Sequence, residues 1–160
     1  MKGYLTDGTV SEYYESGIKA EEVTFKNAKR HGLWKDWYEN GQLKSEVNYK
    51  DGKIHGKVVT WHENGILHSE SYLENNKREG LYLSWNEDGS KLTESHWKNG
   101  KQNGKAIGWY ENGQKHFEDN YEDGLPDGLS VTWRENGSKK KEEVYKHGFC
   151  WNRTNHMEGW

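Results

Sequence analysis

The segment Leu33-Trp34-Lys35-Asp36-Trp37-Tyr38-Glu39-Asn40-Gly41-Gln42-Leu43-Lys44-Ser45-Glu46-Val47-Asn48-Tyr49-Lys50-Asp51-Gly52-Lys53-Ile54-His55-Gly56 decides the fold, because the chain repeats it. Gly8, Gly32, Gly56, Gly80, Gly104 and Gly128 recur every 24 residues, as do Gly17, Gly41, Gly65, Gly89, Gly113 and Gly137. In the same frame stand two largely aromatic columns: Tyr13, Trp37, Trp61, Trp85, Trp109, Trp133, and Phe25, Tyr49, Leu73, Trp97, Tyr121, Tyr145. Two positions are glutamate in every copy, one running from Glu15 through Glu39 to Glu135 and one from Glu22 through Glu46 to Glu142. Such regularity marks an array of small units, each too thin to bury its own apolar face and stable only against its neighbours.

Each unit reads as two strands of about seven residues joined by Glu39-Asn40-Gly41 and linked onward by the loop Lys50 to Gly56. A two-residue Asn-Gly turn sets Trp37 opposite Lys44. A type I turn over Glu39-Asn40, with Gly41 left-handed as a bulge, sets Trp37 opposite Leu43 instead. The bulged hairpin is the expectation. Simple alternation from that pair places Leu33, Trp37, Leu43, Val47 and Tyr49 on one face and Trp34, Asp36, Tyr38, Lys44, Glu46 and Asn48 on a wetter one. Equivalent residues of successive hairpins lie two strands, about 10 Å, apart, and the stems of Lys91, Lys115 and Lys139 fill the gaps between tryptophans. The fold expected is all-β, a single-layer antiparallel meander of repeated 24-residue β-hairpins in one elongated, twisted sheet. One repeat domain, 1–160, holds units at about 9–32, 33–56, 57–80, 81–104, 105–128 and 129–152, with a degenerate cap at 153–160.

Composition agrees with a thin sheet. Of 160 residues 31% are hydrophobic and 31% charged, yet the chain has nine Trp, ten Tyr and 19 Gly against one Pro, so its apolar surface sits in large flat rings between frequent turns. No apolar run nears the roughly 18 residues of a membrane helix, and Met1 to Gly8 has no signal-peptide core, so a cytoplasmic location is expected. A single cysteine, Cys150, makes neither an internal disulfide nor a cysteine zinc site. A net charge of -3 with interspersed signs offers no general attraction to nucleic acid.

The glutamate columns invite a catalytic reading that the spacing opposes: column neighbours about 10 Å apart exceed even the carboxylate separation of inverting glycosidases, and one layer gives no dry pocket. Catalytic residues, cofactors and metal ligands are therefore expected to be none. Glu39 and its equivalents are assigned to turn geometry, and Glu46 and its equivalents to cross-strand partners such as Thr60 or Lys44. The shared loop histidines, His31 with His55 and His68 with His116, are too widely spaced for one metal sphere.

The order aromatic, Glu-Asn-Gly-x-Leu/Lys, Glu, Tyr-x-x-Gly-Lys-x-x-Gly, clearest from Trp37 to Gly56 and from Trp109 to Gly128, resembles the MORN repeat variant of the bacterial YwqK-type antitoxin family. Ala28 and Asn76 depart from it at the loop glycine, Pro126 sits in the fifth loop, and the repeat fades after Gly148, with Met157 in the tryptophan column. The resemblance implies a non-enzymatic antitoxin or immunity protein that neutralises a toxin. The residues themselves point to a protein partner on an exposed aromatic face, with Trp61, Trp85, Trp97, Trp109, Tyr121 and Trp133 as the contact set. The alternative is a structural or membrane-associated scaffold contacting anionic headgroups through the loop residues Lys26, Lys29, Arg30, Lys50, Lys53, Lys77, Arg78, Lys98 and Lys101. Oligomeric state stays open, since both end strands are docking edges.

Overall fold

The computed structural model describes residues 6–151. Its strands are β1 (Gly8–Tyr13), β2 (Lys19–Lys26), β3 (Lys29–Arg30), β4 (Gly32–Trp37), β5 (Leu43–Lys50), β6 (Lys53–Trp61), β7 (Leu67–Glu74) and β8 (Lys77–Trp85). There follow β9 (Lys91–Lys98), β10 (Lys101–Trp109), β11 (Lys115–Glu122), β12 (Leu125–Pro126), β13 (Gly128–Trp133), β14 (Lys139–Lys146) and β15 (Phe149–Cys150). All pair antiparallel in chain order within one open sheet, whose two-residue strands β3 and β12 are the beginnings of β4 and β13 cut off by a break. This is the single-layer meander the period predicts. The cap expected at 153–160 lies outside the described residues.

The Glu-Asn-Gly turn takes the bulged form. Gly41 N–H donates to Tyr38 O (2.9 Å) and Tyr38 N–H to Gln42 O (2.8 Å), Trp37 stands opposite Leu43, and Gly41 has φ +85°. A residue with a Cβ is penalised at that φ, which is why glycine holds the column. Asn40 adds an Asx turn, its Oδ1 accepting from Gln42 N–H at 2.9 Å.

The onward link is tighter than a seven-residue loop. Lys50 pairs with Lys53 across Asp51 (φ 52°) and Gly52 (φ 83°), a two-residue type I′ turn, and the strand resumes at once. The slack falls further along. Gly56, at φ 123°, lets β6 bulge so that Asn48 bridges the gap, its Nδ2 donating to Lys57 O at 2.9 Å. Ala28 and Asn76 adopt φ 58° and 69°, keeping the turn of their glycine counterparts at a backbone cost.

A second bulge corrects the expected faces. Asp36 pairs with Ser45 although Trp37 pairs with Leu43, so Lys44 is an extra residue. Ser45 Oγ donates to the Asp36 carboxylate, and Lys44 Nζ lies 3.7 Å from it, so Lys44 and Ser45 project on the same side. Thr60 likewise meets both His68 Nδ1 (3.2 Å) and Ser69 Oγ (2.7 Å). Two adjacent residues on one side reset the alternation. Leu33, Lys35, Trp37, Leu43, Glu46 and Asn48 share one face; Trp34, Asp36, Tyr38, Lys44, Ser45, Val47 and Tyr49 share the other. Val47 and Tyr49 thus leave the tryptophan face to join Trp34 and Asp36, and Glu46 and Asn48 cross onto it.

Burial is shallow. Val23, Val47, Val59, Ala106 and Val131 are the buried apolar residues, Ser45, Ser71, Ser84 and Ser95 are buried beside them, and no large side chain among the described residues is fully enclosed. Small residues in the middle of the Val47 face let neighbouring strands pack, with Phe117 lying over Gly108 in the one copy that has a ring there.

Both long edges are laced between repeats. Tyr14, Tyr38 and Tyr110 hydroxyls donate to Trp37 O (2.6 Å), Trp61 O (2.9 Å) and Trp133 O (2.8 Å), and His62 Nε2 to Trp85 O (2.9 Å). Asn40, Asn64 and Asn112 amides donate to the carbonyls of Glu63, Glu87 and Glu135 in the next turn. On the opposite edge Gly52, Asn76, Gly100, Gly124 and Gly148 N–H groups each donate to a carbonyl of the preceding repeat at 2.8–2.9 Å. These bonds join successive hairpins into one continuous array.

Candidate partner-binding surface

The six candidate residues divide. Trp61, Trp85, Trp109 and Trp133 form one row near the Glu-Asn-Gly edge, half-buried, whereas Trp97 and Tyr121 belong to the Val47 face on the reverse of the sheet. The bulge opposite Ser84 and Gly108 causes the split, since it inserts a residue between the Trp85 and Trp97 positions of one hairpin and between Trp109 and Tyr121 of the next.

The tryptophan row is spaced by the residues at the Leu43 position, as the strand spacing demands. Lys91 Nζ lies 5.0 Å from the centroid of Trp109, Lys115 Nζ 5.7 Å from that of Trp133, and Lys19 Nζ 5.4 Å from that of Trp37. The same ammonium groups pair with the second glutamate column: Lys19–Glu22 (2.6 Å), Lys91–Glu94 (2.8 Å), Lys115–Glu118 (2.5 Å) and Lys139–Glu142. Lys35–Glu46 (2.7 Å), Lys57–Glu70 (3.0 Å) and Lys105–Glu118 (2.6 Å) complete the pattern. The glutamates therefore find lysine partners on the tryptophan face, three residues back in their own strand or across to the neighbouring one, and not Lys44 or Thr60, which the bulge turns away. Hydrogen bonds from Lys105 and Lys115 hold the Glu118 carboxyl below the usual carboxylate range. A lysine-bound carboxylate with a lowered pKa is a poor proton donor near neutral pH, unlike a glycosidase general acid.

Beyond the tryptophans the same face carries a row of Val59, Leu83, Ile107 and Val131, then Leu81 and Leu129, which are 42% and 44% exposed, alternating with Lys57 and Lys105. Tyr72 and Val144 are exposed there as well. The result is an apolar surface ruled by Lys–Glu pairs.

Trp97 and Tyr121 sit in a different setting. The Arg78 guanidinium lies 4.7 Å from the Trp97 centroid and 4.5 Å from that of Tyr82, and Trp97 Nε1 donates to Ser95 Oγ at 2.8 Å. Tyr121 lines a 170 Å³ depression with Asp119, Pro126, Ser130 and Tyr145; burial, then the Asp119 charge, raises its pKa. Arg30 covers Trp34 and Tyr49 in the same way as Arg78. Arg30 and Arg78, two members of the expected basic margin, are therefore folded onto rings.

Among the described residues one group has metal-like spacing: Glu122, Asp127 and His147 bring ligand atoms within 4.8 Å of one another. Asp127 already accepts from His147 N–H (3.0 Å) and Lys146 Nζ (3.1 Å), a turn-binding role that accounts for its lowered pKa.

Two features escaped sequence reading: the repeat-to-repeat row Tyr14, Tyr38, His62, Tyr110, and a cleft where that row lapses at Asn86. The first was visible as a near-aromatic column with the same period, but its place on the polar face hid its purpose.

An open, laced array of bulged hairpins in one antiparallel sheet defines an all-β repeat protein. Five segments, residues 6–27, 30–51, 54–75, 78–99 and 102–123, match the MORN repeat variant family, and the chain belongs to it. The hairpin β13–β14 continues the geometry past the last matched segment. Comparison with curated proteins gives no match. MORN repeats are non-catalytic modules that bind proteins or membranes.

Proposed function

We propose that the protein is a cytoplasmic binding module that neutralises a protein partner, acting as an antitoxin or immunity protein through its tryptophan face. The observation that carries this reading is the row Trp61, Trp85, Trp109 and Trp133, half-buried and continuous with the exposed Leu81 and Leu129. Tryptophan is the residue most enriched where truncation costs binding energy, and a contiguous apolar surface on a soluble domain marks a contact site. The central rings are held by neighbours on both sides, so little conformational entropy is lost when a partner covers them.

Co-expression with the product of the adjacent open reading frame, followed by affinity measurement on the purified pair, tests the reading. Trp85→Ala and Trp109→Ala are each expected to weaken binding by about 2 kcal/mol or more, while Trp97→Ala, on the reverse face, leaves affinity unchanged at equal folded fraction. Tryptophan variants that stay folded and bind like the parent overturn it.

A second reading has its own observation. Lys26 faces Lys29, Lys50 faces Lys53 and Lys98 faces Lys101 across three of the tight turns, all exposed, and Glu74 faces Lys77 at the turn between the last two, so this margin is predominantly basic. Binding to phosphatidylserine vesicles that collapses with added salt, in the absence of any protein partner, favours a membrane scaffold in place of the antitoxin.

A further inference from the structure

We propose that the notch at Asn86 is a binding site for the phenolic side chain of a tyrosine carried by a partner polypeptide. The repeat itself supplies the template. In the row beside the Glu-Asn-Gly edge, Tyr14, Tyr38, His62 and Tyr110 each place a ring against the next hairpin and donate to the carbonyl of its tryptophan. Asn86 occupies this position in the fourth copy, and its amide turns back to Ser90 Oγ at 2.9 Å. No side-chain donor among the described residues reaches Trp109 O.

The second lacing bond lapses at the same junction. Asn40, Asn64 and Asn112 donate forward to the next turn, but Asp88 stands in their place, and its carboxylate, having no donor when ionised, accepts from Ser90 N–H (2.8 Å) and Ser90 Oγ (2.6 Å). Two independent substitutions thus open one gap between the fourth and fifth hairpins. It appears as an open cleft of about 520 Å³ lined by Asn86, Leu92, Trp109, Tyr110, Glu111, Asn112 and Glu135, within the range of about 300–1,000 Å³ usual for ligand sites.

The walls suit a phenol. Tyr110 and the 38% exposed Leu92 are apolar surfaces for the ring, and the Trp109 carbonyl is the acceptor that the hydroxyl of Tyr38 or Tyr110 uses in neighbouring repeats. Asn86 and Tyr110 belong to the Val47 face, and the acceptor supplied by Trp109 is its backbone carbonyl, which Trp109→Ala retains, so the site is tested separately from the tryptophan side chains.

The test uses the full chain and N-acetyl-tyrosinamide followed by NMR, with N-acetyl-phenylalaninamide as the analogue lacking the hydroxyl. Saturable shifts of the Leu92 methyls and the Tyr110 amide are expected, with the phenylalanine compound weaker by about fivefold, the worth of one hydrogen bond. Asn86→Tyr restores the row and is expected to raise Tm and abolish the shifts. Asn86→His, which copies His62, is the second filling variant should the tyrosine not fold. The proposal is overturned if the parent shows no saturable shift, if a folded filling variant still binds, or if both amides bind equally.

Discussion

The Tyr38 hydroxyl donates to the carbonyl of Trp61, 23 residues on in the chain and 2.9 Å away in space. A side chain of one hairpin thereby completes the backbone of the next, at a point where the bulged turn takes the strand out of its ladder. Stability in such an array is a sum of unit and nearest-neighbour terms, and this bond is a neighbour term. Tyr38→Phe keeps the ring and loses the donor, so a loss of about 1 kcal/mol is expected in denaturant titration, with faster amide exchange at the β5–β6 junction.

The left-handed turn positions give a pair of opposite expectations. Ala28 sits at φ 58° where four of the other five copies use glycine, so Ala28→Gly is expected to stabilise by up to about 1 kcal/mol through relief of backbone strain. Gly89 sits at φ +85° with Ile66 Cγ2 3.8 Å from where a Cβ would lie, so there is room but the wrong backbone, and Gly89→Ala is expected to cost about 1 kcal/mol. Thermal melts of the two variants should move in opposite directions.

Gly108 tests the packing of the small-residue face. A Cβ there would come 2.2 Å from Cε1 of Phe117, whose ring lies over the glycine. Gly108→Ala is expected to destabilise by about 1–3 kcal/mol through overpacking, and the double variant Gly108→Ala/Phe117→Ser, which approaches the small pairs Thr60–Ser69 and Ser84–Thr93 of preceding repeats, to recover part of that loss. Additive losses would show that the two residues do not share the site.

The His62–His68 ring pair, with centroids 4.5 Å apart, sets a pH dependence. Partial burial, and after it the charge of His62, lowers the His68 pKa from its ordinary value. The unfolded chain then takes up the proton first, so stability falls as pH drops through about 6.5 and levels off below the folded-state value. His68→Gln should flatten the dependence of Tm on pH between about 7.5 and 5. The lysine-bound Glu118, with a lowered pKa, adds a further loss as pH falls through the carboxylate range, which the histidine variant leaves in place.

The sequence by itself determined the period, the meander and the turn. Twelve glycines at fixed intervals and a glutamate-asparagine-glycine corner leave one economical chain path, and the pairing of Trp37 with Leu43 follows from local turn chemistry because the residues that specify it are adjacent in the chain. The two-residue turn at Asp51-Gly52 was legible on the same grounds, though the glycine at position 56 disguised it as part of a longer loop. Only the tertiary structure decided which face each ring occupies. The bulge that sets Lys44 and Ser45 together opposite Asp36 carries no glycine, no proline and no constant side chain. It is a register adjustment between ladders, and one extra residue there sends Trp97 and Tyr121 to the reverse of the sheet from Trp85 and Trp109. The gap at Asn86 was likewise invisible until the hydroxyls of Tyr38 and Tyr110 were seen to reach across to the next hairpin, because a missing contact can be read only against the contacts its neighbours make.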